Sequence, residues 1–293
     1  MKIDKKIEIN LRSGVSEMVV KIGIVKIGNI GTSPIIDLVL DERADRNDVD
    51  VRTIGAGAKM GKTQVDDILP KINAFNPDLM IFISPNPNAE QPKRAREILS
   101  KTEIPTIIIG DGPGEKAIYE MTQQQLGYIL IRADPMIGAR REFLDATEMA
   151  LFNAYVLKVL SITGAFRLVQ ETIDDLINKL NNHEKIKLPE IVVTAELAAS
   201  YAGFKNPYAL SKALAAYNIA SHVSEVDVRA CFRTNEPHIY IPLVTAAHEM
   251  MQAAARLAEE AREIEKSNDT VLRTPHKKDG TLLRKTSLMD YFD

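Results

Sequence analysis

The chain has 293 residues, 45% hydrophobic and 26% charged, with a formal net charge of −3 at pH 7. These proportions exclude a disordered or collagen-like chain, and 37 basic against 40 acidic residues leave no cationic excess for neutralising nucleic-acid phosphates. A single cysteine, Cys231, excludes an intramolecular disulfide and a cysteine-rich metal site, in keeping with a reducing, cytoplasmic setting. No run reaches the roughly 18 apolar residues of a membrane span; the nearest, 149–162, carries Asn153, Lys158 and Ser161. Neither nucleic acid nor membrane is therefore an expected partner. Residues 1–17 are charged and lack the apolar core of a secretory signal, and Met18 stands just before the first strand pattern. They are expected to be an N-terminal extension outside the folded protein.

From there strand and helix patterns alternate. Residues 19–28 (VVKIGIVKIG) read as a strand ending in glycine. A helix is expected over 34–44, with Pro34 in its first turn and Thr32 or Ser33 as cap. Strand 49–55, helix 64–75, strand 78–85, helix 92–101, strand 105–110, helix 114–125 and strand 127–134 follow. The unbroken apolar runs at 79–83 and 106–109 suit strands buried on both faces. Five such units predict an α/β fold, a doubly wound and mostly parallel sheet over 18–140.

Beyond it, 141–293 reads as a helix bundle with a small β addition and a C-terminal segment. Asp145 with Glu148 forms a capping box before the apolar 149–162 run, and Gly164 interrupts that helix before a second over 166–181. Asn206-Pro207 opens a helix over 206–226, and apolar residues at three- and four-residue steps mark another over 243–266. Between them, 228–233 and 239–241 suggest a small hairpin or an edge addition, and the polar stretch from 267 is expected to cross the surface.

In open α/β sheets ligands bind beyond the carboxyl ends of the strands, so the loops there are the candidate site. The first, Gly28-Asn29-Ile30-Gly31-Thr32-Ser33, is not a dinucleotide fingerprint but offers amides and hydroxyls to an anion. The second, 56–63 (AGAKMGKT), matches a P-loop if alanine replaces its first glycine, and Asp111 could then hold magnesium. Against that, it follows the second strand rather than the first. The third, Ser84-Pro85-Asn86-Pro87-Asn88, is stiffened by prolines, and the fourth, Gly110-Asp111-Gly112-Pro113-Gly114, lets backbone approach a ligand closely. The fifth runs from Arg132 through Asp134 and Met136 to Arg140 and Arg141, a pair able to grip an anion. No histidine pair has metal-ligand spacing, and there is no nucleophile elbow. The residues alone leave open an ATP-dependent phosphotransferase using 56–63 and a non-catalytic ligand-binding protein.

The segments KIGNIGTS, LDERADR, SPNPN, IIIGDGPG, GYILIRADPMIGARREFLD, NPYA, AHEMM, EKSND and VLRTPH occur in that order. In this the chain resembles the coenzyme F420-dependent methylenetetrahydromethanopterin dehydrogenases of archaea, from Met18 to about Gly280. The 61–63 triplet falls outside the family's pattern, so the P-loop match is read as accidental. The resemblance implies reversible hydride transfer between reduced coenzyme F420 and methenyl-tetrahydromethanopterin, within the one-carbon metabolism of methanogenesis. It implies coenzyme F420 as a dissociable cosubstrate, no metal, tetrahydromethanopterin derivatives as partners, and a homohexamer built from dimers. Loop position then suggests Gly28, Asn29, Gly31, Thr32, Ser33, Pro85, Asn86, Pro87, Gly112 and Gly114 for the coenzyme. Met136, Arg140, Arg141, His248, Arg273 and His276 are expected on the substrate side, with Asp111 and Asp134 as carboxylates near the substrate cation.

Overall fold

The computed structural model describes residues 19–291; the expected 1–17 extension lies outside the described residues. Val20–Lys26 (β1), Val49–Gly55 (β2), Leu79–Ser84 (β3), Thr106–Gly110 (β4), Gly127–Ile131 (β5) and Glu190–Val193 (β6) form one parallel sheet. Its order is β2-β1-β3-β4-β5-β6, so the chain reverses direction across the sheet between β1 and β3. Side-chain alternation along each strand divides the core in two. Leu79, Ile81 and Ile83 face one side with Ile22, Ile24, Ile107, Ile109, Ile129 and Ile131, while Met80 and Phe82 face the other with Val25, Ile108 and Leu130. Helices Lys62–Asn73 (α2) and Glu90–Leu99 (α3) cover the second face. The first is covered by Ala146–Thr163 (α5) and Ala165–Asn181 (α6). The short helices Ile36–Leu40 (α1) and Ile118–Gln123 (α4) add Ile36 and Leu40 to the first face and Met121 to the second.

Asp145 caps α5, accepting from the Glu148 amide at 2.9 Å. Gly164, at φ +98°, separates α5 from α6 by a bend of 66°. A side chain there would strike the Ala198 carbonyl and lie 2.7 Å from the Ala202 amide, both on Ala195–Ala202 (α7). Pro207–Phe232 (α8) and Pro237–Ser267 (α9) then fold back on each other across a short turn. Their buried alanines, among them Ala213, Ala216 and Ala220 on α8 and Ala247, Ala254 and Ala258 on α9, let two long helices approach closely. No single helix among the described residues is long and apolar enough to cross a membrane.

Four expectations from the sequence need correction. Residues 228–233 and 239–241 are not a hairpin but the end of α8 and the start of α9, because the alanine stripe continues through their β-branched residues. The β addition is instead β6, which pairs with β5 from Tyr128↔Glu190 to Ile131↔Val193. Four residues are too few to show strand periodicity, and a sixth strand drawn from the second half of the chain thereby joins the sheet. The helix after β1 shrinks from 34–44 to Ile36–Leu40, since the preceding residues form an internally bonded turn. The segment after α9 does not merely cross the surface: it makes antiparallel bridges Arg273↔Lys285 and His276↔Leu282 and buries His276.

Candidate functional site

The strand order reverses between β1 and β3, and the carboxyl ends of strands at such a reversal are where these sheets accept ligands. The β1 and β3 loops meet there. Gly28 lies at φ +87°, and a Cβ on it would stand 2.7 Å from the Met60 sulfur and 2.8 Å from Pro85 Cδ. The next contact along the edge joins β3 to β4. A Cβ on Gly110 would come within 2.8 Å of Pro87 Cγ, and one on Gly114 within 3.0 Å of Pro87 Cδ and of Leu130 Cδ2. The glycines are thus fixed by backbone-to-proline packing, and the sheet edge presents a rigid, side-chain-poor rim. Within it Ser84 Oγ is buried and has no hydrogen-bond partner among the described residues.

Each loop is held from beneath. Asp134, fully buried, accepts hydrogen bonds from the amides of Gly31 and Thr32, the latter at 3.0 Å, and from the Thr32 hydroxyl. Ser33 Oγ accepts from the Ile30 amide at 3.2 Å, so the Thr32 and Ser33 hydroxyls turn inward. Asn86 Oδ1 accepts from the Asn88 amide at 3.1 Å, fixing the tip of the proline loop. Asp111 accepts from the Gly112 amide and from Ser224 Oγ at 2.7 Å, which ties the β4 loop to α8.

These carboxyls share a poorly solvated region. Burial raises Asp134 to about 6 against the hydrogen bonds from Thr32 and Gly31. Burial also holds Asp111 well above the ordinary carboxylate range, outweighing Ser224 and Gly112, and nearby Asp134 and Asp227 push the same way. Asp227, one turn beyond Ser224 on α8, is buried with neither oxygen bonded among the described residues, and burial raises it to about 8. The chain passes it at Gly138, where a Cβ would lie 2.7 Å from Asp227 Oδ1.

The residues expected on the substrate side do not all gather at this edge. His248 is wedged between Phe143 and Phe152, with ring centroids 4.7 and 4.6 Å away. Phe152 lies one turn before Val156, whose side chain abuts Gly31. Burial lowers His248 to about 4, so it is neutral at pH 7. Met136 is half-buried and Arg141 exposed. Arg140 is spent inside the chain, donating to the carbonyls of Ala230 at 2.8 Å and Thr234 at 2.6 Å and stacking on Tyr240 at 4.1 Å. Arg273 is half-buried and donates to the Val271 carbonyl at 3.2 Å. His276 joins a buried ion network with Glu42, Arg46 and Asp174.

Three residues that shape this edge carry no prominent signal in the sequence. Arg96 holds the proline loop, Ser224 holds Asp111, and Met60 packs beneath Gly28. Arg96 did leave a trace, since it falls on the buried stripe of α3 with Pro92, Ala95 and Leu99. Lys62 of the P-loop-like segment is exposed at the start of α2, beside the edge strand β2. Among the described residues, no three His, Cys, Asp or Glu side chains come together as a metal-ligand set.

The fold and this edge define a doubly wound α/β protein whose switch-point loops form a rigid, glycine- and proline-rich rim, the candidate ligand site. The methylene-5,6,7,8-tetrahydromethanopterin dehydrogenase family matches residues 20–293, and the chain belongs to that family. It is 66% identical over 273 residues to the F420-dependent methylenetetrahydromethanopterin dehydrogenase of Methanosphaera stadtmanae, covering 93% of this chain and 99% of that one. With the same-named enzyme of Methanothermobacter thermautotrophicus it shares 55% identity over 272 residues, 93% and 99% of the two chains. A solved F420-dependent methylene-tetrahydromethanopterin dehydrogenase, in complex with methylene-tetrahydromethanopterin and coenzyme F420, superposes with a TM-score of 0.90 at 48% identity, covering 94% of this chain and 99% of that one.

Proposed function

We propose that the chain catalyses reversible hydride transfer between reduced coenzyme F420 and methenyl-tetrahydromethanopterin, giving methylene-tetrahydromethanopterin. The observation that carries this reading is the near-complete match, at 48% identity, to an enzyme solved with both ligands. The rim itself fits a flat ring. Gly28, Gly110 and Gly114 pack directly against Met60, Pro85 and Pro87, which keeps the rim rigid and poor in side chains.

Coenzyme F420, when bound, supplies a ring carbon that gives or takes a hydride. The chain's part is to orient two rings and exclude water, for which well-ordered loops can supply about 7–11 kcal/mol of barrier reduction. In this reading Gly28, Asn29, Pro85, Asn86, Pro87, Gly112 and Gly114 form the coenzyme side. Asp111 is the carboxyl assigned to the substrate side, where the arrival of a cationic substrate would favour its ionised form against the burial that raises its pKa. Met136 and Arg141 border the substrate, and neutral His248 with Phe143 and Phe152 supplies an apolar wall. Arg140, Arg273 and His276 contribute by fixing the chain, since each already has partners within it.

The same reading places the enzyme in the cytoplasm as a homohexamer built from dimers. Met149 and Leu151 on α5, Tyr208 and Leu210 on α8, and Phe232 are exposed apolar residues that suit subunit contacts.

An anaerobic absorbance assay tests the activity, with methylene-tetrahydromethanopterin and oxidised coenzyme F420 as reactants and NAD, NADP and magnesium-ATP as controls. Loss of the deazaflavin band is expected with coenzyme F420 alone. Folded protein without turnover would overturn the proposal.

A further inference from the structure

The β1–α1 turn has the sequence of an open anion cradle, yet its donors face inward. We infer that the chain's own Asp134 carboxylate occupies this cradle, making Asp134 a positioning residue that governs coenzyme binding through the 28–33 loop without touching either ring. The inference rests on the coenzyme F420 reading for its consequence and on the following contacts for its geometry.

Asp134 takes the amides of Gly31 and Thr32 and the Thr32 hydroxyl onto its two oxygens. The neighbouring amides are committed as well. Ile30 donates to Ser33 Oγ at 3.2 Å, and Ser33 donates to the Ile30 carbonyl at 2.9 Å. Every amide from Ile30 to Ser33 therefore donates within the chain. Gly31 is also clamped sterically: a Cβ would strike Val156 of α5 on one side and lie 2.8 Å from Asp134 Oδ1 on the other. The carboxylate arrives from just beyond β5, 103 residues along the chain, so the loop position is set by the sheet and not by local sequence.

Two consequences follow. An anionic group on the coenzyme cannot use the Gly31 and Thr32 amides while Asp134 is ionised, because that nest already holds a negative charge. The loop meets the coenzyme instead through the Gly28–Asn29 side, where Gly28 packs on Met60 and Pro85. Removing the carboxylate frees at least three donors and lets the loop depart from the rim. Its charge-assisted bonds are the strong kind, and leaving such donors buried and unpaired is costly.

The test uses Asp134→Ala, Asp134→Asn and Thr32→Val. Amide hydrogen exchange is measured on ligand-free enzyme, and coenzyme F420 affinity is read from its fluorescence. Asp134→Ala should speed exchange at Gly31 and Thr32 by about tenfold or more, with β3 amides unchanged. It should weaken coenzyme binding by a similar factor while kcat at saturating coenzyme changes by less than about threefold, the split expected when binding alone is lost. Added formate, a small carboxylate able to enter the vacated space, should restore both exchange protection and affinity.

Asp134→Asn keeps the side-chain volume, and Thr32→Val removes only the hydroxyl donor. Both should show the same pattern at smaller amplitude, and they carry the test if Asp134→Ala does not fold. Unchanged exchange at Gly31 and Thr32 would overturn the inference. So would a fall in kcat with coenzyme affinity intact, which would put Asp134 beside the reacting cation. Absence of coenzyme F420 binding by the unaltered enzyme would count against the proposed function alone, since exchange and formate rescue would still judge the loop.

Discussion

Arg96 reaches back nine residues to donate its Nε–H to the Pro87 carbonyl at 2.9 Å, from a side chain with no solvent exposure. The same guanidinium donates to Gln124 Oε1 at 2.7 Å and Glu120 Oε2 at 3.0 Å, the latter on α4. One buried fork thus ties the proline loop at the candidate site to the helix that follows β4. Lysine cannot reproduce that planar geometry.

Replacing Arg96 with methionine keeps most of the volume but leaves the Pro87 carbonyl without its donor. We expect a loss of about 1.5–3 kcal/mol of stability, the range for a hydrogen bond to a charged group. The KM for coenzyme F420 should rise, because Pro87 also packs on Gly110 and Gly114. Arg96→Lys should recover only part of either effect. Thermal unfolding and steady-state kinetics on the two variants measure this; a methionine variant as stable and as tight as the parent would refute it.

Asp227 supplies a pH test. Its buried carboxyl is raised from 3.8 to about 8 by desolvation, so the native state holds a proton that the unfolded chain releases above about pH 4. Folding is then favoured at low pH, and stability falls by up to about 1.4 kcal/mol per unit as pH rises from about 4 towards 8. Asp227→Asn removes the titration without altering the shape. Urea unfolding should show the asparagine variant gaining on the parent between pH 5 and pH 8. A constant difference across that range would show that Asp227 does not titrate in this way.

His276 works in the opposite sense. Its Nδ1 stands 2.7 Å from Glu42 Oε2 and its Nε2 2.7 Å from Asp174 Oδ2, an arrangement that suits a doubly protonated ring. Burial disfavours that charge and Arg46 opposes it, but Asp174 and Glu42 prevail and the pKa is raised. Stability from this network is therefore fully present below about pH 6.5, the unfolded value, and is lost as pH rises through the native one. His276→Gln should cost about 1–3 kcal/mol at pH 6 and visibly less at pH 9. Limited proteolysis after α9 should accelerate in parallel, since His276 anchors that segment onto the loop between α1 and β2. Equal destabilisation at both pH values would exclude the charged-ring account.

Much of the architecture is local and therefore legible. The runs that became β1, β3, β4 and β5 are largely apolar and buried on both faces, and their alternation with helical patterns sets the parallel sheet. Asp145, Gly164 and Asn206 mark helix ends through the conformations and side-chain acceptors that a cap needs. The ordered segments shared with the archaeal dehydrogenases also disclosed the family.

Other features had no local trace. β6 exists because β5 offers an open edge to four residues, each pairing with a residue 62 positions earlier in the chain. The β-branched residues near Cys231 became helix because α8 and α9 bury a shared small-residue face. At the site, loop position made Thr32 and Ser33 look available to a ligand, whereas Thr32 belongs to a carboxylate 102 residues away. The sequence by itself determined the parallel α/β plan, the helix boundaries set by caps and the loops at the strand ends. Only the tertiary structure decided which polar groups those loops offer outward and which they spend within, because a hydrogen bond between distant residues needs the packed sheet to bring donor and acceptor together, and no local pattern of residues signals that meeting.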